Sequence, residues 1–253
     1  MRRKAIGIDI GGTGIKAALV DTKKGSLASE RIRIETPAGG EPEAIAAACA
    51  QIVEQLDEKG NRAIGICFPA VVKHGHTQSA ANVSKRWIGL DAHELFSHSL
   101  KRQVHVLNDA DAAGVAELNF GAGKNKDGLV IMATLGTGIG TAIFYDGKLI
   151  PNAELGHLEI DGVDYETRAA YSAMERENLN FEEWAKRLQT YFSHLENLLV
   201  PDLIIVGGGI SKQSEKFLPL LNLKTAIIPA QTKNSAGIIG AAYLANKALE
   251  RKR

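Results

Sequence analysis

Asp9-Ile10-Gly11-Gly12-Thr13-Gly14-Ile15-Lys16 is a glycine-rich turn set between two apolar runs. Ala5-Ile6-Gly7-Ile8 before it and Ile15-Lys16-Ala17-Ala18-Leu19-Val20 after it both read as strands, so the stretch predicts an antiparallel hairpin. A dinucleotide site or a P-loop would instead run from its glycines straight into a helix, with a different glycine spacing. The reversal gathers a carboxylate, a hydroxyl and several unobstructed backbone N–H groups, a set that suits a bound phosphate. Glycines that merely supply positive φ would explain Gly11, Gly12 and Gly14 but not Asp9 and Thr13, and on this stretch alone both readings stand.

The same grammar returns further on. Gly128-Leu129-Val130-Ile131-Met132-Ala133 runs into Thr134-Leu135-Gly136-Thr137-Gly138-Ile139-Gly140-Thr141-Ala142, then Ile143-Phe144-Tyr145 and the turn Asp146-Gly147. Strand, hydroxyl-rich glycine turn and strand have been used twice in one chain.

Around these two hairpins the chain reads as a mixed α/β protein. After the turn Lys23-Lys24-Gly25-Ser26, residues Leu27 to Thr36 alternate as a third strand. Glu41-Pro42-Glu43 starts a helix whose stripe is Ile45, Cys49, Ile52, Val53 and Leu56, with Gly60 at its end. Ala63 to Phe68 is apolar throughout, as in an interior strand, and Pro69 closes it. Residues 70 to 88 read as a hairpin and an irregular loop. His74-Gly75-His76 lies near the tip and, with no third ligand type nearby, reads as structural. The loop ends in Ala81-Asn82-Val83-Ser84-Lys85-Arg86-Trp87, where a basic pair beside an indole either grips an anionic chain or forms an exposed edge over a packed Trp.

A helix from Asp91 to Leu100 and a strand Val104-His105-Val106-Leu107 lead into Asn108-Asp109-Ala110-Asp111-Ala112-Ala113-Gly114. Asp109 is placed at a strand's C-terminal end, where open α/β sheets put their ligands. A helix-capping carboxylate is the plainer reading of Asp109 or Asp111. Beyond the second hairpin, Glu154-Leu155-Gly156-His157-Leu158-Glu159 and Glu166 lie in a segment without periodicity. Its carboxylates and imidazole can hydrogen-bond several sugar hydroxyls, or simply form a solvated acidic loop. Phe181 to Leu199 is a helix with Trp184, Leu188, Phe192, Leu195 and Leu199 on its apolar face. Leu203-Ile204-Ile205-Val206-Gly207-Gly208-Gly209 is a buried strand running into a triple-glycine turn and a helix, and Leu223 to Ile228 is a last strand. A small-residue helix opens at Ser235-Ala236-Gly237-Ile238-Ile239-Gly240, and Glu250-Arg251-Lys252-Arg253 reads as a solvated tail.

With 253 residues, 45% of them hydrophobic, the chain can bury a substantial core. Thirty basic side chains against 29 acidic ones leave a formal charge of +1, so there is no overall field to hold nucleic acid or an anionic membrane. Cys49 and Cys67 are isolated and read as buried small hydrophobes, neither a disulfide framework nor a thiolate metal cluster. No apolar run reaches membrane-spanning length, and Met1-Arg2-Arg3-Lys4 leads into a strand where a signal peptide would have its apolar core, so a cytoplasmic location is expected.

Taken in order, these motifs resemble the ROK family, in the sugar-kinase branch of the superfamily that also holds actin, the heat-shock chaperone ATPases and hexokinase. Asp9 to Lys16 is similar to its first phosphate motif, Asn108 to Gly114 to its first connecting helix and Thr134 to Ala142 to its second phosphate motif. Leu203 to Ser211 is similar to the adenosine motif and Ala236 to Ala245 to the second connecting helix, while Glu154-Leu155-Gly156-His157 matches the family's sugar signature. Most members follow that His with a cysteine-rich zinc motif. This chain has no cysteine after Cys67, so no zinc is expected there. Among members lacking zinc it is most similar, in Ala81-Asn82 through Trp87-Ile88-Gly89 and in Pro151-Asn152-Ala153 through Leu158, to bacterial enzymes that phosphorylate glucose and mannose from inorganic polyphosphate or ATP.

The resemblance implies an α/β, actin-like or hexokinase-type (ribonuclease H-like) fold with mixed sheets and two domains about a central cleft. Residues 1–110 would form a small N-terminal domain, with a helix at about 236–253 packing back on it, and residues 111–235 a larger C-terminal one. It implies Asp109 as the base for the sugar's 6-hydroxyl, and Asn82, Asn108, Glu154, His157 and Glu166 as sugar ligands, Glu166 being harder to align without the zinc motif. Amides of Gly11, Gly12, Gly136 and Gly138, hydroxyls of Thr13 and Thr137, and the surrounding Gly14, Lys16, Thr134 and Gly140 would meet phosphates. Gly207, Gly208 and Gly209 would admit a nucleotide, and Asp9 would orient Mg²⁺ through water. Lys85, Arg86, Lys212 and Lys216 are candidates for a polyphosphate groove. Glucose, mannose, polyphosphate and ATP are the expected partners, with no nucleic acid and no membrane, and a homodimer is left open.

Three other readings compete. A strictly ATP-dependent hexokinase differs only in donor. A non-catalytic actin-like ATPase switch would have no use for the sugar signature, and a repressor of the same family would carry a helix-turn-helix ahead of the first motif, where Asp9 leaves no room for one.

Overall fold

The structure, a computed structural model, describes residues 4–57, 60–80 and 82–251. Met1-Arg2-Arg3, Ala81, Lys252 and Arg253 lie outside the described residues.

In chain order, β1 (Lys4–Ile10) and β2 (Ile15–Asp21) flank the first glycine turn, followed by β3 (Ser26–Leu27), β4 (Ile32–Ile34), α1 (Pro42–Leu56) and β5 (Ile64–Phe68). The short hairpin β6 (Val72–Lys73) and β7 (His76–Thr77) leads to α2 (Ala92–Leu100), β8 (Val104–Asn108) and α3 (Asp109–Phe120). Next come β9 (Leu129–Leu135) and β10 (Ile139–Tyr145) about the second glycine turn, then β11 (Lys148–Ile150), β12 (Glu159–Ile160) and β13 (Val163–Asp164). Helices α4 (Glu166–Ala169), α5 (Tyr171–Arg176) and α6 (Phe181–Leu199) precede β14 (Leu203–Gly207), β15 (Ala226–Pro229) and α7 (Ala236–Arg251).

The chain divides into two compact units, residues 1–116 with 235–253 and residues 117–234. Each is built on one mixed sheet. The order is β3-β2-β1-β5-β8 in the first unit, with β4 also on β2, and β11-β10-β9-β14-β15 in the second. In both, an antiparallel glycine hairpin is extended by two parallel strands. The repeat read from two short motifs therefore extends to the topology of whole sheets.

In the first unit, α1 lays Ile45, Cys49, Ile52 and Val53 into the core, each such aliphatic side chain contributing about 1.5–3 kcal/mol. Helix α7 packs on β1 and β5. It lies so close that a Cβ on Gly7 would fall 1.9 Å from the Ile238 carbonyl oxygen, and one on Gly65 1.9 Å from that of Ala241. Only glycine lets backbone meet backbone at those points. Trp87 is fully buried, stacks on Phe96 with Phe68 tilted against it, and donates its indole N–H to the Gly40 carbonyl at 2.9 Å. In the second unit, Trp184, Leu188, Phe192 and Leu195 of α6 are fully buried as their spacing predicts, and Asn180 and Glu183 close a capping box at its start.

Several local expectations are corrected. The strand expected over Leu27 to Thr36 is split into β3 and β4, because the Ser29 hydroxyl accepts the Leu19 N–H at 3.0 Å and interrupts the ladder. The helix expected after the triple glycine is a 3₁₀ segment, Gly209–Lys216, and the last strand starts at Ala226, three residues late, after the Glu196 carboxylate has taken the Thr225 N–H. Glu250 and Arg251 complete α7 instead of beginning a tail.

Candidate functional site

In the first unit, Asp9 and Lys16 are directly opposed in the β1–β2 register and paired at 3.6 Å, with Arg33 of β4 the next partner of Lys16. The turn is closed by the Gly11 N–H, which donates to the Gly14 carbonyl at 3.0 Å. That amide was expected to face phosphate and instead shapes the loop. Thr36 donates its hydroxyl to the Gly11 carbonyl at 2.5 Å, and Gly12 and Thr13 stand exposed at the apex. Asn82, with φ +33°, sits over Gly12, close enough that a Cβ there would meet its backbone oxygen at 2.9 Å.

Beside this turn, Cys67 at the end of β5 is opposite Asp9 in register and is fully buried. Its thiol donates to Asp9 Oδ1 at 3.5 Å. Burial first, then the charges of Asp9 and Asp109, hold that thiol far above its ordinary range, so it is a neutral donor between two carboxylates. Asp109 begins α3 directly at the end of β8, where the sequence places it. The capping role considered for Asp109 or Asp111 is taken chiefly by Asn108, whose Oδ1 accepts the N–H groups of Ala110 and Asp111 at 2.8 and 3.0 Å, while Asp109 Oδ1 also accepts the Ala110 N–H at 2.8 Å. Its Nδ2 donates to the Ala70 carbonyl at 3.1 Å, so little of this buried amide remains for a sugar.

In the second unit, the turn Gly136-Thr137-Gly138 is one residue shorter, Leu135 pairing with Ile139, and the Gly136 N–H closes it on the Gly138 carbonyl at 2.9 Å. Gly136, like Gly11, therefore uses its amide within the turn. Thr134 donates its hydroxyl to the Gly140 carbonyl at 3.2 Å. Gly207 is the β14 partner of Thr134, and Gly208, at φ +86°, lies against Leu135, while Gly209 starts the 3₁₀ segment.

The Glu154-Leu155-Gly156-His157 signature forms a 3₁₀ turn, Leu155–His157, against β10. Gly156 permits it, since a Cβ there would fall 1.9 Å from the Ile139 carbonyl oxygen. Thr141 fixes the chain on both sides of Glu154, donating to the Ala153 carbonyl at 2.6 Å and accepting the Leu155 N–H at 3.0 Å. From α6 the buried Tyr191 donates to the Leu155 carbonyl at 3.2 Å. Glu166, expected in a loop, starts α4, and its Oε2 accepts the Ile139 N–H at 2.6 Å. Glu154, His157 and Glu166 do come together. Desolvation, against the His157 charge and aided by that of Glu166, raises Glu154 above the ordinary glutamate range. His157 is raised above the ordinary histidine range, chiefly by a 2.9 Å bond from Nδ1 to Asp164.

Two of the four proposed groove cations fall in each unit. Lys85 and Arg86 are exposed in the first unit, where Arg86 holds Glu41 at 3.0 Å and Glu43 at 2.6 Å, which favours the plain reading of the loop as an edge over a packed Trp. Lys212 and Lys216 are exposed in the second, Lys216 bonding Gln213 at 2.8 Å and lying 5.2 Å from the Phe181 ring centre. At the tip of the β6–β7 hairpin His76 lies 3.7 Å from Asp91, and among the described residues no group of three or more His, Cys, Asp or Glu forms a metal cage. No described helix is long and apolar enough to cross a membrane.

Sequence reasoning missed Arg33, Cys67 as a donor to Asp9, Thr141, Asp164 and Tyr191. The sheet register could have found Arg33 and Cys67 once the strands were paired. Thr141 stands inside the second motif, but its partners lie in an irregular loop.

The ROK family pattern matches residues 5–169, and a polyphosphate glucokinase of Mycobacterium tuberculosis is 46% identical over 242 residues, 95% of this chain and 91% of that protein. The chain belongs to the ROK family. Within it, the crystal structure of an inorganic polyphosphate/ATP-glucomannokinase from Arthrobacter sp. strain KM is 50% identical, with a TM-score of 0.93 over 98% of this chain and all of that one. A ROK glucokinase from Streptomyces griseus, solved with glucose and AMPPNP, is 26% identical with a TM-score of 0.82 over 96% of this chain and 99% of that one. The ROK member described here thus has the actin-like, hexokinase-type α/β fold with mixed sheets that its motifs implied.

Proposed function

We propose that this protein is a hexose kinase, moving the terminal phosphoryl group of inorganic polyphosphate or ATP to the 6-hydroxyl of glucose, and of mannose. The observation that carries the reading is the bond from Glu166 to the Ile139 amide, which joins a cluster suited to sugar hydroxyls to a glycine turn suited to phosphate. Relatives that carry the names polyphosphate glucokinase and polyphosphate/ATP-glucomannokinase support the substrate class.

In this reading Asp109 accepts the proton of the 6-hydroxyl as its oxygen attacks phosphorus, a contribution of ~10²–10⁴-fold. Glu154, His157 and Glu166 hold other hydroxyls, with Asn82 and the one spare N–H of Asn108 as lesser contacts. Gly12, Thr13, Thr137 and Gly138 meet phosphate oxygens, Gly11 and Gly136 having closed their turns. Positioning and charge neutralisation do the rest. The chemistry at Asp9, one carboxylate beside exposed glycine and threonine donors, fits Mg²⁺, which takes one or two protein carboxylates together with phosphate and water. When bound, the ion would neutralise charge on the donor's phosphates. A cytoplasmic enzyme fits these substrates.

The test is a coupled assay of hexose 6-phosphate formation, with glucose or mannose as acceptor and polyphosphate or ATP as sole donor. Activity with both donors is expected. Activity with ATP alone would leave an ATP-dependent hexokinase, and donor hydrolysis without sugar dependence would remove the kinase reading.

A further inference from the structure

Asp164 was not among the residues singled out in the sequence, yet it touches two of the proposed sugar ligands. One oxygen, Oδ2, lies 2.9 Å from His157 Nδ1, and the other, Oδ1, accepts the Glu166 N–H at 3.1 Å. Its own backbone is fixed. Asp164 pairs with Glu159 across β12–β13, and its carbonyl accepts the Thr167 hydroxyl at 2.6 Å. One carboxylate therefore sets both the ring that ends the sugar signature and the start of the helix that carries Glu166. From there the Glu166 side chain reaches the Ile139 amide at the second glycine turn.

We propose that Asp164 is the positioning residue of the sugar site, holding His157 with its Nδ1–H toward the carboxylate and Nε2 presented to a sugar hydroxyl. Neutral imidazole has one donor and one acceptor nitrogen, and the partner of one nitrogen decides what the other can do. A short hairpin, β12–β13, delivers this carboxylate to the ring. The His157–Asp164 pair is about half exposed, 54% and 41% for the two side chains, so it contributes little to folding, and its value lies in orientation. The charged groups acting on His157 are Asp164, Glu166 and Glu154.

This inference rests on the hexose-kinase reading, and the experiment separates the two. D164N keeps the side chain's shape and an acceptor for the Glu166 N–H, but must offer its amide N–H₂ to His157 Nδ1, which selects the opposite tautomer. D164A removes both bonds. Expected in both is a rise in glucose KM and in glucose Kd by calorimetry of roughly 10–100-fold, the size of the loss when a partner that orients a metal-ligating His is removed. kcat should change less than about threefold, and donor KM and Tm should stay near wild type. By NMR, the His157 ring should titrate lower in D164N than in wild type, toward the ordinary histidine range, which checks that the pair forms, while the rise in glucose KM without loss of kcat or Tm is what a merely structural role would not produce. Wild-type glucose affinity in D164N would overturn the proposal. If wild type itself failed to phosphorylate hexose, the kinase reading would fall, while the titration would still decide whether Asp164 sets the state of His157.

Discussion

The two glycine hairpins share a backbone plan and differ in chemistry. At the base of the first, the opposed residues are Asp9 and Lys16, and at the base of the second Thr134 and Gly140. The difference extends across each sheet. In the first unit Cys67 stands one residue before the end of β5 and Asp109 directly follows β8, one a donor to Asp9 and the other a half-buried carboxylate. In the second the matching strands β14 and β15 end in Gly207 and Pro229. What the second turn has is bracing. The carboxylate of Glu166 holds the Ile139 amide, and Ser172 of α5 donates its N–H to the Gly136 carbonyl at 3.0 Å and its hydroxyl to the Thr137 carbonyl at 2.6 Å. The two turns thus share a backbone plan, with an ion pair at the base of one and bracing contacts on the other.

The sharpest way to break the comparison is Asp109→Asn. If the first unit carries the chemistry, kcat should fall by ~10²–10⁴-fold while glucose binding, measured by calorimetry, stays within a few fold. An equal loss of affinity and turnover would show that Asp109 serves the sugar as a ligand more than as a base, and the division of labour would be wrong.

How much of this was legible depends on whether a residue acts through the chain's period or through its loops. The hairpins, the α1 stripe and the α6 face followed from alternation and helical spacing, because burial selects apolar residues at fixed intervals. Asp109 was found because a strand ended at it. Asp164 and Thr141 had no such mark. They bond to backbone and imidazole groups brought near by an irregular segment, and nothing in residues 151 to 166 has a period that would place them. Asn108 shows the opposite case, since the resemblance put it among the sugar ligands while its Oδ1 caps α3 and its Nδ2 holds the Ala70 carbonyl. Gly11 and Gly136 were likewise expected, through the resemblance to phosphate motifs, to offer their amides to phosphate, and the turns themselves use those N–H groups.

A finer test lies within the second turn. A Cβ on Gly138 would fall 2.3 Å from Glu166 Oε2, whereas one on Gly136 meets nothing within 4 Å. Gly138→Ala should displace the carboxylate from the Ile139 amide, a charge-assisted bond worth about 1.5–3 kcal/mol, and lower kcat/KM roughly tenfold or more. Gly136→Ala should stay within about twofold, given its open surroundings. Similar losses in both would mean that glycine is needed there for ligand approach, and that bracing by Glu166 does not distinguish the second turn from the first.

The smallest expected effect concerns the cost of holding a ligand ready. Glu154 has its carboxyl raised above the usual glutamate value of 4.5, chiefly by desolvation. A folded state that binds this proton more tightly than the unfolded chain loses stability as pH rises from the ordinary value through the raised one, and the cost is complete above it. Glu154→Gln removes that titration. The variant should therefore melt slightly above wild type at neutral pH, with the gap closing once the pH drops below the ordinary glutamate value, while its glucose KM rises. The increment is small because the residue is exposed. A variant that melts below wild type at neutral pH would show the carboxylate to be a net stabiliser of its loop. The second unit would then resemble the first, with charge contributing to the fold as well as to the site.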